Sequence, residues 1–177
     1  MKGIVFTEFM EMVEGAFSAD VLDDIIEAAD LPNGGAYTSV GTYDHGELVR
    51  MVVALSEKTH VPVPDLVATF GRYMFGRFHA LYPGFFAGVP NALTFLSGIE
   101  DIIHAEVIKL YPDAQLPKFQ CRRVGNGLEM LYLSPRHFED LALGLIEGAV
   151  AHWGGGLNVA REALPDGTVR FFVAPAA

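Results

Sequence analysis

Lys118–Val124 (KFQCRRV) and Leu128–Ser134 (LEMLYLS) flank Gly125-Asn126-Gly127, and this stretch decides the fold. Before Pro117 the apolar residues recur at helical spacing; from Lys118 onward they follow a strand-like period. The intervening residues tolerate the positive φ of a hairpin turn. A second hairpin follows, with LNVAREAL (157–164) and TVRFFVA (168–174) on either side of Pro165-Asp166-Gly167. Between the hairpins the pattern predicts one amphipathic helix over 135–153, stopped by Gly154-Gly155-Gly156. That glycine run precedes a strand and not a helix, so it reads as a helix stop and not as a phosphate loop.

Upstream, a helix is predicted over 2–16, where Ile4, Phe6, Phe9, Met10 and Val13 share a face. Ser18 caps a second helix, ADVLDDIIEAAD, that ends before Pro32. GAYTSVGTY (35–43) behaves as a loop. Asp44 and Glu47 form a capping-box pattern before HGELVRMVVALSEK, and Pro64 suits the first turn of PDLVATFGRYMFGRFHALY. A fifth helix is predicted over 91–111, carrying Leu93, Leu96, Ile99, Ile103 and Val107, with His104 inside it. The expectation is an α+β chain: about five helices, then a small four-stranded antiparallel sheet with one helix between its two hairpins.

Composition narrows the function. The 177 residues, 51% hydrophobic, suffice for one domain with a sizeable core. Twelve basic against 22 acidic residues give a formal net charge of −10, which opposes nucleic-acid binding because that binding relies on Lys and Arg neutralising phosphates. One cysteine, Cys121, forbids an internal disulfide or a multi-thiolate metal site and fits a reducing compartment. The N-terminus carries acidic residues within its apolar stretch, unlike a signal peptide, and LALGLIEGAVAHW is too short to span a bilayer. These features predict a soluble, cytoplasmic protein with no membrane partner.

Tyr132, Ser134 and Arg136 occupy alternate positions where a strand runs into the predicted helix. Ser at the N-cap and Pro135 at the first helical position are ordinary choices. Arg136 is not, because a cation in the first turn faces the positive end of the macrodipole unless an anion is near. Two hydroxyls, a guanidinium fork and free helix N–H groups suit carboxylate or phosphate oxygens; the ordinary alternative is an exposed pair between Arg136 and Glu139 or Asp140. His104 is the second candidate, with Glu100, Asp101 and Glu106 on neighbouring faces of an Ile- and Leu-rich helix, a setting that suits haem iron as well as an ordinary core histidine. The other five histidines form no close helical pair. No G-x-S-x-G elbow or Cys–His pairing marks a nucleophile, so no catalytic residue is assigned.

Together, MKGIVFTEFMEMVE, GAYTSVGTYDHGEL, IEDIIHAEVIKLYPDAQLP and the Y-x-S-x-R of Tyr132, Ser134 and Arg136 resemble the H-NOX family of haem nitric oxide/oxygen binding domains, over essentially the whole chain. The resemblance implies a single H-NOX domain, residues 1–177, with a helical N-terminal subdomain (1–60) and a haem-anchoring subdomain (61–177). It implies haem b held by His104 as proximal iron ligand, with Tyr132, Ser134 and Arg136 on the propionates and Pro117 pressing on the macrocycle. By the same resemblance Val5, Phe9, Met74, Phe78, Leu141 and Leu145 form the distal pocket. Oxygen-binding members carry a tyrosine donor where this chain has Leu141, which favours nitric oxide over dioxygen. The implied signal is release of His104 from the iron, with the N-terminal helices rotating in response. Since the chain ends at Ala177, soon after its last predicted strand, it is expected to report to a separate protein such as a histidine kinase or a cyclic-di-GMP synthase or phosphodiesterase. Dioxygen binding, or a haem-free interaction module of the same fold, are the alternatives.

Overall fold

The computed structural model describes residues 1–176; Ala177, the last residue of the expected domain, lies outside them. The chain forms two compact units, Met1–Phe70 and Gly71–Ala177.

In the first unit, α1 (Gly3–Ala16) buries Phe6, Phe9, Met12 and Val13 on one face, and Phe9 meets Phe70 edge to face with ring centroids 5.3 Å apart. Ser18 caps α2 (Ala19–Ala28), its hydroxyl accepting the Val21 N–H at 3.2 Å, as the sequence predicts. Residues 35–43 are a loop, pinned to the start of α1 by hydrogen bonds from Gly3 N–H to Gly41 O and from Ile4 N–H to Ser39 O. A side chain at Gly3 would collide with the Thr38 carbonyl at 1.8 Å, so only glycine fits beneath this loop. The capping box before α3 (His45–Thr59) forms only in part. Asp44 accepts the Gly46 N–H at 2.6 Å, but the Glu47 carboxylate turns to the Tyr37 hydroxyl at 2.7 Å instead of back to the cap. Glu47 is buried, and a buried carboxylate takes the donor its surroundings offer. Burial, then the hydrogen bond and charge of Glu47, push the Tyr37 pKa above its ordinary value.

The second unit begins within α4 (Val63–Leu81) and continues through a 3₁₀ turn (Pro83–Phe85), α5 (Ala92–Ser97), a π-helical turn (Ile99–His104) and α6 (Ala105–Leu110). Strands β1 (Lys118–Val124) and β2 (Gly127–Leu133) are followed by α7 (Glu139–His152), β3 (Leu157–Ala163) and β4 (Val169–Pro175). The sheet is antiparallel in the order β1-β2-β4-β3, with Phe119 opposite Tyr132 and Tyr132 opposite Val169. Leu128, Met130, Tyr132, Phe171 and Val173 of the central strands join Phe95 and Leu96 of α5 and Ile146, Ala149 and Val150 of α7 in one core. The strand alternation and helix stripe meet there, as the α+β expectation requires.

Two helical expectations need correction. The single helix predicted over 91–111 is three pieces: Gly98 ends α5, and the π-helical turn separates it from α6. A π turn adds a residue to the helical repeat without interrupting the run of apolar residues, so the apolar spacing looked continuous. The helix predicted from 135 begins at Glu139. Ser134 Oγ accepts the N–H of Arg136, two residues on, at 3.2 Å, closing a local turn, and His137 at φ 54° blocks helical continuation.

Helices α4 and α7 approach through backbone. A Cβ at Gly71 would lie 2.4 Å from the Leu141 carbonyl oxygen and 2.8 Å from Gly144 Cα; one at Gly148 would lie 2.7 Å from Phe75 Cβ. Gly71→Ala is therefore expected to destabilise the protein by about 1–3 kcal/mol through overpacking. Gly76→Ala on the same helix, where nothing lies within 4 Å, is expected to stabilise by about 0.5–1 kcal/mol. Urea unfolding followed by circular dichroism checks both signs.

Candidate functional site

The π-helical turn delivers His104 at its last position. The imidazole is largely buried, 16% exposed, with Nδ1 3.0 Å from Glu100 Oε1. The same oxygen accepts the backbone N–H of Phe119 at 2.7 Å. Phe119 lies on β1, an edge strand, whose outward N–H groups have no neighbouring strand to bond, and the Glu100 carboxylate satisfies this one. Burial pushes the His104 pKa below its ordinary value, against the opposing pull of Glu100, so the ring is neutral at neutral pH. With the Nδ1 proton directed at a carboxylate, the lone pair resides on Nε2, the arrangement that metal-bound histidines adopt.

The Phe119 ring links this histidine to the second candidate group, with centroids 6.0 Å from His104 and 5.4 Å from Tyr132. Tyr132 is buried on β2; burial raises its pKa, offset in part by hydrogen bonds from the Ser134 hydroxyl and the Phe138 N–H. The structure therefore brings Tyr132 and Ser134 together. Arg136 is not in a helix, so the macrodipole argument for a nearby anion does not hold. Neither does the alternative pairing with Glu139 or Asp140: among the described residues Asp140 is bound by Arg161 and Glu139 Oε2 is buried without a hydrogen-bond partner. Arg136 Nη1 donates to the Gln115 carbonyl at 2.8 Å and Nη2 to the Gln115 side-chain oxygen, and among the described residues it has no carboxylate partner. A half-exposed guanidinium anchored only by neutral acceptors keeps its charge available for an acidic ligand. Gln115 has no signal in the sequence for this role; Glu100, one helical turn before His104, was visible as a candidate neighbour.

Pro117 is partly buried just before β1. Met74 is buried and Phe78 partly buried on α4, spaced with Gly71 along one helix face; Leu141 and Leu145 are partly buried on α7, the former at the Gly71 crossing. Val5 and Phe9 lie on α1 in the first unit, Phe9 fully buried.

The donor set tests what this site can hold. Among the described residues no group of three or more His, Cys, Asp or Glu is placed to hold a bare metal ion. A porphyrin brings four nitrogens of its own and needs one neutral imidazole plus a partner for its carboxylates, which His104 and Arg136 fit.

Comparisons with known proteins point to the same cofactor. A family model described as Haem-NO-binding matches residues 2–161. An H-NOX protein from K. algicida, solved unliganded in the Fe(II) state, is 36% identical over 100% of this chain and 97% of that one, with a TM-score of 0.92. The H-NOX from Shewanella woodyi, solved in solution with IWP-051 in the Fe(II)CO state, is 39% identical over 99% of this chain and 95% of that one, with a TM-score of 0.85. An H-NOX protein from S. oneidensis in the Fe(II)NO state shares the fold, with a TM-score of 0.92 at 24% identity over 100% of both chains. Among curated proteins nothing matches. The chain belongs to the Haem-NO-binding, or H-NOX, family, whose members are haem-based gas sensors rather than enzymes, and haem is its cofactor. Among the described residues no helix is long and apolar enough to cross a membrane.

Cys121, two positions beyond Phe119 on β1, points its thiol at the Leu96 carbonyl, 3.6 Å away. Burial, reinforced by the charges of Glu100 and Asp101, pushes its pKa up to about 11. The folded thiol thus keeps its proton beyond the ordinary value of 9.0, so its contribution to stability is intact below that pH and lost as pH rises through 11. Labelling by a disulfide reagent at about pH 8 is expected to be roughly a hundredfold slower in the folded protein than in urea, as thiolate governs the rate.

Proposed function

We propose that this chain is a nitric oxide sensor in which His104 is the axial iron ligand, through Nε2. The observation that carries the assignment is the occupied Nδ1: its N–H donates a hydrogen bond to Glu100, which leaves the lone pair on the opposite nitrogen. Haem, when bound, supplies the iron at which a diatomic gas binds.

The remaining roles belong to the chain's own side chains. Arg136, held by Gln115, offers its guanidinium to the propionate carboxylates, with the hydroxyls of Tyr132 and Ser134 completing the grip. Pro117 is assigned to press on the macrocycle on the His104 side. Met74, Phe78, Leu141 and Leu145 are assigned to the gas-binding side, where they exclude water and donate no hydrogen bond. Bound dioxygen relies on such a donor and nitric oxide does not, so Leu141 supports nitric oxide as the ligand. The signal is the exchange of iron-bound for free His104, since a ligand shifts a two-state equilibrium only through its different affinity for the two states. A separate signalling protein, such as a histidine kinase or a cyclic-di-GMP synthase or phosphodiesterase, reads the result.

Absorption spectra test this directly. The purified ferrous protein is expected to show a Soret band that is unchanged by air and shifted by nitric oxide, and His104→Ala is expected to lose or shift the band before any gas is added. Wild-type protein that stays colourless with added hemin would overturn the proposal. Arg136→Ala is expected to hasten haem transfer to an acceptor apoprotein by about one to two orders of magnitude, the scale of one charge-assisted hydrogen bond. Leu141→Tyr is expected to create a dioxygen complex detectable in air-equilibrated buffer, and no change in oxygen affinity would remove the argument from Leu141.

A further inference from the structure

We propose that Glu100 is the positioning residue for the axial ligand, and that its carboxylate sets how strongly His104 holds iron and how readily it lets go. The inference rests on the reading of His104 as that ligand.

One atom, Glu100 Oε1, serves two donors: the His104 ring nitrogen at 3.0 Å and the Phe119 backbone N–H at 2.7 Å. Glu100 and His104 belong to the same π-helical turn, whereas Phe119 belongs to the sheet. The Phe119 bond therefore anchors the carboxylate to a strand hydrogen-bonded along its whole length to β2. A carboxylate free to swing would follow the imidazole when it moves; one tied to the sheet defines a fixed resting place for the Nδ1–H. This bond selects the tautomer with its lone pair on Nε2 and fixes the plane of the ring. Its negative charge also makes the imidazole a stronger electron donor, which strengthens the iron–nitrogen bond and favours ferric over ferrous iron. The sheet-tethered carboxylate thus gives His104 a defined orientation in both the bound and the released state. Phe119 adds a packing surface between the His104 and Tyr132 rings, so the ligand and a residue of the carboxylate grip share a neighbour.

Ferrous haem-loaded wild type, Glu100→Gln and Glu100→Ala are compared by resonance Raman spectroscopy of the iron–histidine stretch and by spectroelectrochemical potential. Gln keeps an acceptor oxygen for both donors without the charge; Ala removes both bonds. The stretch is expected to fall and the potential to rise in both variants, further in Ala. The fraction of His104 released by nitric oxide is expected to grow, with the bound-to-free ratio shifted by about 10–100-fold in Ala. Should Ala fail to fold, Gln decides alone, its urea midpoint showing that the fold is kept. A Gln variant with unchanged stretch and potential overturns the proposal, whether or not Ala shifts, because a shift confined to Ala reports lost packing. That failure would leave a normal Soret band in all the folded proteins, whereas failure of the ligand assignment would show as a wild-type spectrum insensitive to His104→Ala.

Discussion

The Glu100 carboxylate joins the helical segment around His104 to the edge of the sheet, and the geometry of the site follows from that junction. An edge strand presents unpaired N–H groups that must find partners. Here one of them takes a side chain that also engages an imidazole, so a requirement of sheet structure also orients the His104 ring. The π turn contributes by breaking the regular helix at the segment that carries both residues. Such turns tend to occur where function overrides the most stable backbone.

The second constraint is the near contact of α4 and α7. Gly71 and Gly144 allow backbone to meet backbone, since a Cβ at Gly71 would lie 2.8 Å from Gly144 Cα. In the same unit Phe86 stacks on Phe95 with centroids 5.0 Å apart, and the Trp153 indole N–H donates to the Val89 carbonyl at 3.2 Å.

Arg136 sits in a turn ahead of α7, so the helix dipole gives it no need of an anion. The macrodipole reasoning required a helix starting at Pro135, and the chain instead makes a turn through His137 before α7 begins. Ser134 is as good a turn former as a helix cap, because its hydroxyl accepts a nearby N–H in either setting. What keeps the guanidinium suited to an anion is its anchoring by the neutral Gln115, a contact between residues far apart in sequence.

The strands, the turns of both hairpins and most helix positions were legible from residue order, since alternation, helical spacing and glycine placement are local properties. So were His104 and the Tyr132, Ser134, Arg136 group as candidates, through residue type and spacing. The break of the 91–111 helix was hidden, because a π turn leaves the apolar pattern almost unchanged. Also hidden were the two donors on Glu100, the Gln115 anchor and the Gly71·Gly144 contact. Each joins segments that only folding brings together, and the partner of a buried polar group is chosen by whichever donor or acceptor then lies within about 3 Å.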